Sequence, residues 1–364
     1  MVTATRVPKT KPNKALMPLV AGRISRPTQA DGHKWCDFIE LRCLLSSEAR
    51  FSRGQVLEVL DDSAQLYGEV TDSDDPLLDI DLPGDGIESD DESEADLLPD
   101  ASPVRNSVRN EAKAAEWFSH LEFRQKIFGA SYPFEISEDR QELCLRPTLD
   151  ESQRLYIQLL LSSSLRTIPK KRWPDLTEPF EEVSEKIFSS LMPKGWNVHR
   201  FGAKGSTRYT GKLYEKLAAL AKDIRAEFTA PRHYYSERNT GDGGLDLVAW
   251  HSMGDERICI PAALAQCGCV ADDWTMKTLE ASPARLGANL RSPVPWTAYY
   301  FMPQDLLFNA GNTTDWHQGN DLTNAIIIDR YRLIKLASDY DLLQTGGLTS
   351  KIVDEALAFK SNAV

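Results

Sequence analysis

Long apolar runs are missing from this 364-residue chain. None approaches the roughly 18 consecutive apolar residues of a membrane span, so no membrane partner is expected. Cysteine is scarce. Six in so long a chain form no disulfide framework, and a reducing cytoplasm is the expected compartment. The first thirty residues hold no acid and six basic residues (Arg6, Lys9, Lys11, Lys14, Arg23 and Arg26), but they lack the apolar stretch of a secretory signal. They read as a basic disordered arm, 1–30. Internal repeats are also missing, which excludes a solenoid or propeller.

Basic residues are absent over one long segment. Between Asp72 and Asp100 there are thirteen acids, no Lys or Arg, and no aromatic residue. Such a stretch cannot bury enough apolar surface to offset the entropy of ordering it, so 71–107 is predicted to be an acidic disordered linker. It also accounts for the net charge of −12: without those thirteen acids the chain sums to +1, and residues 101–364 sum to −1. The overall charge therefore does not exclude a nucleic-acid partner, which would have to meet a local basic patch.

What is present is enough for a sizeable core. Hydrophobic residues make up 41% of the chain, and at about 100–200 residues per domain the length allows two or three folded units. Residues 31–70 read as a small α/β element. Apolar residues at helical spacing over 110–129 and 151–163 predict a helical subdomain, 108–170. Thr177, before Glu178 and Pro179, predicts the start of a helix running to Leu191, followed by a strand in WNVHRFG and a helix over 211–228. RHYYSE, LDLVAWH and RICIPAALAQC read as three strands. A helix capped by Asp272 and a strand in WTAYYFM follow, then AIIIDRYRLIKLA as a strand passing into a helix, and 346–364 as a C-terminal helix and tail. This order predicts an α/β fold with a mixed central sheet flanked by helices, preceded by a mostly helical region and the linker.

The densest chemical signal is Gly241-Asp242-Gly243-Gly244-Leu245-Asp246, a glycine-rich turn that runs into a strand. By itself it is a turn with a capping aspartate, and it is a poor phosphate cradle because no helix N-terminus follows. The next strand ends in Gln266-Cys267-Gly268-Cys269. If the two strands form a hairpin, Asp246 and Gln266 stand side by side at one end of the sheet, where two oxygen donors make a site for a hard cation such as Mg²⁺.

These motifs resemble the PD-(D/E)xK nuclease superfamily, in the branch with a DGGxD turn and Gln in place of the second acidic residue. The resemblance covers 171–345 and implies a restriction-endonuclease-like core. By that resemblance Asp246 binds the metal, Gln266 takes the second position, and the Cys267 carbonyl is a further ligand. The usual lysine would fall at Gly268; the run Trp274-Thr275-Met276-Lys277 is similar to variants that carry it on the next helix. A helix glutamate is implied as another ligand, with Glu215 in KLYEKLAALA the first choice and Glu181 in PFEEVSEKIF the second. The implied activity is Mg²⁺- or Mn²⁺-dependent hydrolysis of a phosphodiester in DNA, with Asp246, Gln266, Lys277 and Glu215 as catalytic residues. The implied setting is a prokaryotic restriction or anti-phage system, beside an ATPase or helicase. IIIDRYRL resembles an element that follows such cores, with Asp329 and Arg330 as a structural pair.

Other readings stay open at this point. Cys267 and Cys269 with Cys36, Cys43, Cys144 and Cys259 offer a zinc site without paired knuckles. Cys267 with His251 or His233 offers a cysteine hydrolase, although Cys267 falls inside a strand. Each histidine (His33, His120, His199, His233, His251, His317) taken singly reads as structural. Gly268 favours a nuclease-like fold that only binds DNA or a partner.

Overall fold

The computed structural model describes residues 31–66, 103–202, 206–270, 274–311, 313–317, 319–344 and 346–359, with 19, 20, 24, 26 and 27 before them. Most of the basic arm, nearly all of the acidic stretch and the expected cap Asp272 lie outside the described residues.

Helix α1 (Gly32–Leu45) opens the fold, its first turn capped by the Asp31 side chain accepting from the His33 amide. Strand β1 (Arg50–Ser52), α2 (Arg53–Leu66), α3 (Pro103–Phe128), β2 (Phe134–Ile136), β3 (Glu142–Leu145) and α4 (Glu151–Ser163) follow. Strand β1 pairs with β3 in a three-stranded antiparallel sheet ordered β1-β3-β2. Trp35 of α1 stacks on Trp117 of α3 at 4.2 Å, and Cys36, Phe51, Phe118 and Leu121 are buried around them. Segments 31–66 and 108–170 thus share one sheet and one core. Helix α3 begins at Pro103, inside the range expected to be linker.

A buried ionic network ties this region to the C-terminal part. Asp37 and Glu40 of α1 face Arg124 of α3 and Arg330, while the Tyr132 and Tyr156 hydroxyls donate to Glu40. Against the penalty of burial, the Arg330 and Arg124 guanidiniums hold the Asp37 carboxyl well below the usual carboxylate range. Arg330 therefore pairs with Asp37 and not with its neighbour Asp329. Asp329 instead caps a helix, accepting from the Arg332 amide at 3.0 Å.

The second half begins with α5 (Pro174–Leu191), β4 (Asn197–Arg200), α6 (Leu213–Asp223), β5 (Glu227–Phe228), β6 (Leu247–Trp250) and β7 (Ala262–Cys267). Short helices α7 (Trp274–Lys277) and α8 (Pro283–Leu286) lead to β8 (Leu290–Arg291) and β9 (Thr297–Phe301). The hairpin β10 (Leu307–Asn309) and β11 (Thr314–Trp316), then β12 (Ile326–Ile328), α9 (Arg330–Asp339) and α10 (Lys351–Ala358), complete the fold. Five strands form a mixed sheet ordered β12-β9-β7-β6-β4, in which β12, β9 and β7 are parallel and β6 runs antiparallel to β7 and β4.

Alternation along the strands explains why helices cover both faces. Leu247, Ala249, Ala263 and Ala265 join a core with Phe180, Val183 and Ile187 of α5, and that core is continuous with α1 and α4. Val248, Trp250 and Leu264 point the other way, onto Leu213, Leu217 and Leu220 of α6. The α/β class with a mixed sheet flanked by helices is therefore present. Helix α10 packs back on α1 and α4, with Arg154 and Arg172 paired to Asp354 and Glu355.

Several local expectations need correction. Helix α5 starts at Pro174, a turn before Thr177, and carries Pro179 inside it. RHYYSE is no strand: Arg232–Tyr234 is a single 3₁₀ turn, and Tyr235 packs on Tyr214 and Phe228. Tyr235 finds cover without a ladder while Tyr234 stays exposed, so β propensity does not decide the conformation here. The helix expected over 211–228 stops at Asp223, because Arg225 turns left-handed (φ 56°) and its segment continues as β5. Strand β7 begins only at Ala262, after Cys259 at φ 69° and Pro261. Among the described residues no helix is long and apolar enough to cross a membrane.

Candidate functional site

The turn before β6 is built to be tight. The Asp242 side chain accepts from the Gly244 amide at 2.8 Å, and the buried Lys216 ammonium donates to the Thr240 and Gly241 carbonyls at 2.9 and 3.1 Å. Gly244 has φ 83°, and a Cβ there would lie 2.1 Å from Glu280 Oε2. Only glycine lets this backbone turn left-handed while a carboxylate lies against it.

Asp246 follows immediately. Its amide donates to the Ala265 carbonyl at 3.0 Å and its own carbonyl accepts from the Phe201 amide at 2.7 Å, which fixes it between the ends of β4 and β7. The side chain accepts from the Cys267 amide at 2.7 Å. The hairpin therefore sets Asp246 beside Gln266, as the two motifs require. Burial pushes the Asp246 carboxyl up to about 8; the Cys267 amide opposes the rise, and the negative charges of Asp242, Glu181 and Glu280 add to it.

Gln266 is buried, and its amide nitrogen donates to Glu280 Oε2. Its carbonyl oxygen, Oε1, is buried without a hydrogen-bond partner, and so is the hydroxyl of Tyr300 on the adjacent β9. Leaving such atoms unpaired costs about 1–3 kcal/mol each, and that cost is removed by a ligand, ion or water. Glu280 was not foreseen. Its signal is the i, i+3, i+6 spacing of Trp274, Lys277 and Glu280, which returns all three to one side of a helical segment.

The two candidate helix glutamates are placed differently. Glu215 closes the N-terminus of α6, accepting from the Lys212 amide at 2.8 Å, and pairs with Arg232 at 3.2 Å. Its carboxylate is committed to the helix end. Glu181 of α5 is the glutamate whose charge reaches Asp246, Cys267 and Cys269. Among the described residues no three of these carboxylates bring oxygens within 4.8 Å of one another. A cation here would keep several waters, as Mg²⁺ does when one or two carboxylates hold it.

Gly268 has a steric reason. A Cβ at this position would stand 2.0 Å from the Tyr300 hydroxyl, so a lysine cannot occupy it as the chain is packed. Trp274 of α7 is buried against Tyr300 and Met302, and Lys277 lies one turn later, near enough for its charge to lower the Cys269 thiol against the effect of burial.

Pairing Cys267 with His251 finds no support in the geometry. Burial pushes the Cys267 thiol well above its ordinary value, and His251 lies beyond the far end of β6, about 17 Å along the strand from Asp246 at 3.3 Å per residue. No cysteine belongs to a cluster of three potential metal ligands among the described residues. The chain matches no protein-family model, no curated protein and no solved structure.

Proposed function

We propose that the chain is a Mg²⁺- or Mn²⁺-dependent endonuclease of the PD-(D/E)xK kind that hydrolyses phosphodiesters in DNA. The observation that carries this reading is the buried, unpaired carbonyl oxygen of Gln266 beside Asp246 at the junction of β6 and β7. The donor set fits a hard cation: Asp246, Gln266 Oε1 and Glu181 would hold it, with the Cys267 carbonyl as the fourth candidate. When bound, the cation would supply Lewis-acid polarisation of the phosphate and a more acidic water.

The chain's own residues set the stage for that chemistry. The Cys267 amide fixes one Asp246 oxygen. Glu280 holds the Gln266 amide nitrogen, which fixes the orientation of the carboxamide and leaves the opposite oxygen unpaired. Lys277 supplies a positive charge on this side, beside the Arg285–Glu280 ion pair, suited to neutralising charge that develops on phosphate oxygens. Glu181 replaces Glu215 as the helix carboxylate. A prokaryotic restriction or anti-phage setting in the cytoplasm, beside an ATPase or helicase, belongs to the same proposal and rests on the motif resemblance.

The test is cleavage of supercoiled plasmid DNA with Mg²⁺, Mn²⁺ or EDTA, by the wild-type chain and by Asp246→Ala, Glu181→Ala and Lys277→Ala. Metal-dependent nicking by the wild type alone supports the reading; equal activity in all four overturns it. DNA binding without cleavage, unaltered in Asp246→Ala, replaces it with a nuclease-like binder.

A further inference from the structure

A second polar cluster lies where α1, α3 and the segment after β9 meet. His33 of α1, His120 of α3 and Asp305 each offer a ligand atom, and the three atoms lie within 4.8 Å of one another. His33 is 8% exposed and Asp305 1%. His33 Nδ1, His120 Nε2 and Asp305 Oδ2 are all buried without a hydrogen bond. Two buried imidazole nitrogens without a hydrogen bond, beside a buried carboxylate oxygen met only by an ion pair, are a costly arrangement for a fold to keep, at about 1–3 kcal/mol for each unbonded nitrogen, unless something is bound among them.

We infer that His33, His120 and Asp305 bind one divalent transition metal of nitrogen and oxygen preference, such as zinc or iron(II). Two imidazoles and one carboxylate are the donor set of open zinc and non-haem iron sites, which keep a coordination position for an exogenous ligand. That position has somewhere to face. His33, Asp305 and His317 line a cavity of about 470 Å³ that extends to Asp37, Ser163 and Trp274. The His317 ring centroid is 4.4 Å from that of His33.

The surroundings are compatible with a cation. Arg124 Nε is 2.8 Å from Asp305 Oδ2 as an ion pair, without the alignment of a hydrogen bond. Its charge is also met by Asp37 and Glu40, so Asp305 is not its sole counter-ion. Asp305 is held in place from both sides: Oδ1 accepts from the Leu307 amide, the neighbouring Gln304 donates to the Cys269 carbonyl at 2.8 Å, and Arg330 donates to the Pro303 carbonyl at 2.9 Å.

This site shares no ligand with the Asp246 site, and the test separates the two. The full-length chain, stripped with a chelator, is titrated with ZnSO₄ against a fluorescent zinc indicator, and with Co²⁺ while visible absorption is recorded. One equivalent is expected in the wild type and in Asp246→Ala. It is expected to be lost in His120→Ala and in the His33→Ala, His120→Ala double variant, with far-ultraviolet circular dichroism retained. Failure of the wild type to take up zinc or cobalt overturns the inference without reference to any variant. Retention of the equivalent in the double variant also overturns it, as does its loss in Asp246→Ala alone.

Discussion

Gly268 and the Tyr300 hydroxyl compete for one place: a Cβ on residue 268 would stand 2.0 Å from that oxygen. Gly268→Lys is therefore expected to destabilise the fold by about 1–3 kcal/mol through overpacking, with part of the loss regained in the Gly268→Lys, Tyr300→Phe double variant, which removes the hydroxyl and leaves the buried ring in place. Denaturant midpoints of the two variants check this. Lysine at position 268 combined with Tyr300→Phe should also restore part of the cleavage lost in Lys277→Ala, if both positions reach the same phosphate.

Lys277→Ala alone is expected to lower turnover by about 10²–10³-fold, the usual cost of removing one group that stabilises transition-state charge. Single-turnover cleavage at saturating Mn²⁺ measures it. The melting temperature should not change, since the packing of α7 rests on buried Trp274.

The two glutamates should separate cleanly. Glu215→Ala removes a capping-box residue and should cost about 1 kcal/mol of stability without changing cleavage. Glu181→Ala should weaken metal dependence or activity about 10–100-fold with little change in stability. Thermal melts and Mg²⁺ titrations of cleavage, done side by side, check both.

The raised carboxyl of Asp246 gives stability a pH dependence of known sign. Its folded value, about 8, lies above the ordinary carboxylate value of about 3.9. The folded state thus binds the proton more tightly than the unfolded state, and the stabilisation that proton confers is complete below about pH 4 and lost as pH rises through 8. In EDTA, Asp246→Asn should be more stable than the wild type at pH 8, by about 1–2 kcal/mol or a few degrees in melting temperature, while being inactive. The gain should shrink toward pH 5. A constant or reversed difference across that range would sink the argument.

The hairpin at the centre of the candidate site was legible because its signals are local. A glycine-rich turn, a strand buried on both faces and a polar strand end lie within about thirty residues, and pairing Leu247 with Ala265 follows from placing Asp246 beside the end of β7. The choice between Glu181 and Glu215 was not legible. Both α5 and α6 have an apolar face and a glutamate nearby, and only the folded contacts distinguish them: Glu215 closes the N-terminus of α6, while the charge of Glu181 reaches Asp246. The histidine cluster was hidden for a related reason. His33, His120 and Asp305 lie far apart along the chain, on two helices and a loop, and no spacing rule joins them. RHYYSE failed because strand propensity says nothing about whether a partner strand exists.

Helices α2 and α3 lie against each other on either side of the acidic stretch. Arg53 of α2 donates to the Glu111 carbonyl at 3.1 Å, Asn110 of α3 donates to Asp61 at 3.0 Å, and β1 is hydrogen-bonded to β3. The thirteen acids are thus inserted into one folded unit, with both attachment points on the same body. A peptide bond cut anywhere between residues 67 and 102 would leave two fragments held by a shared sheet, a shared core and the Asp37–Arg330 pair. Two half-genes split there and co-expressed should yield a complex that purifies as one species, so the segment is a natural place to divide or relink this protein.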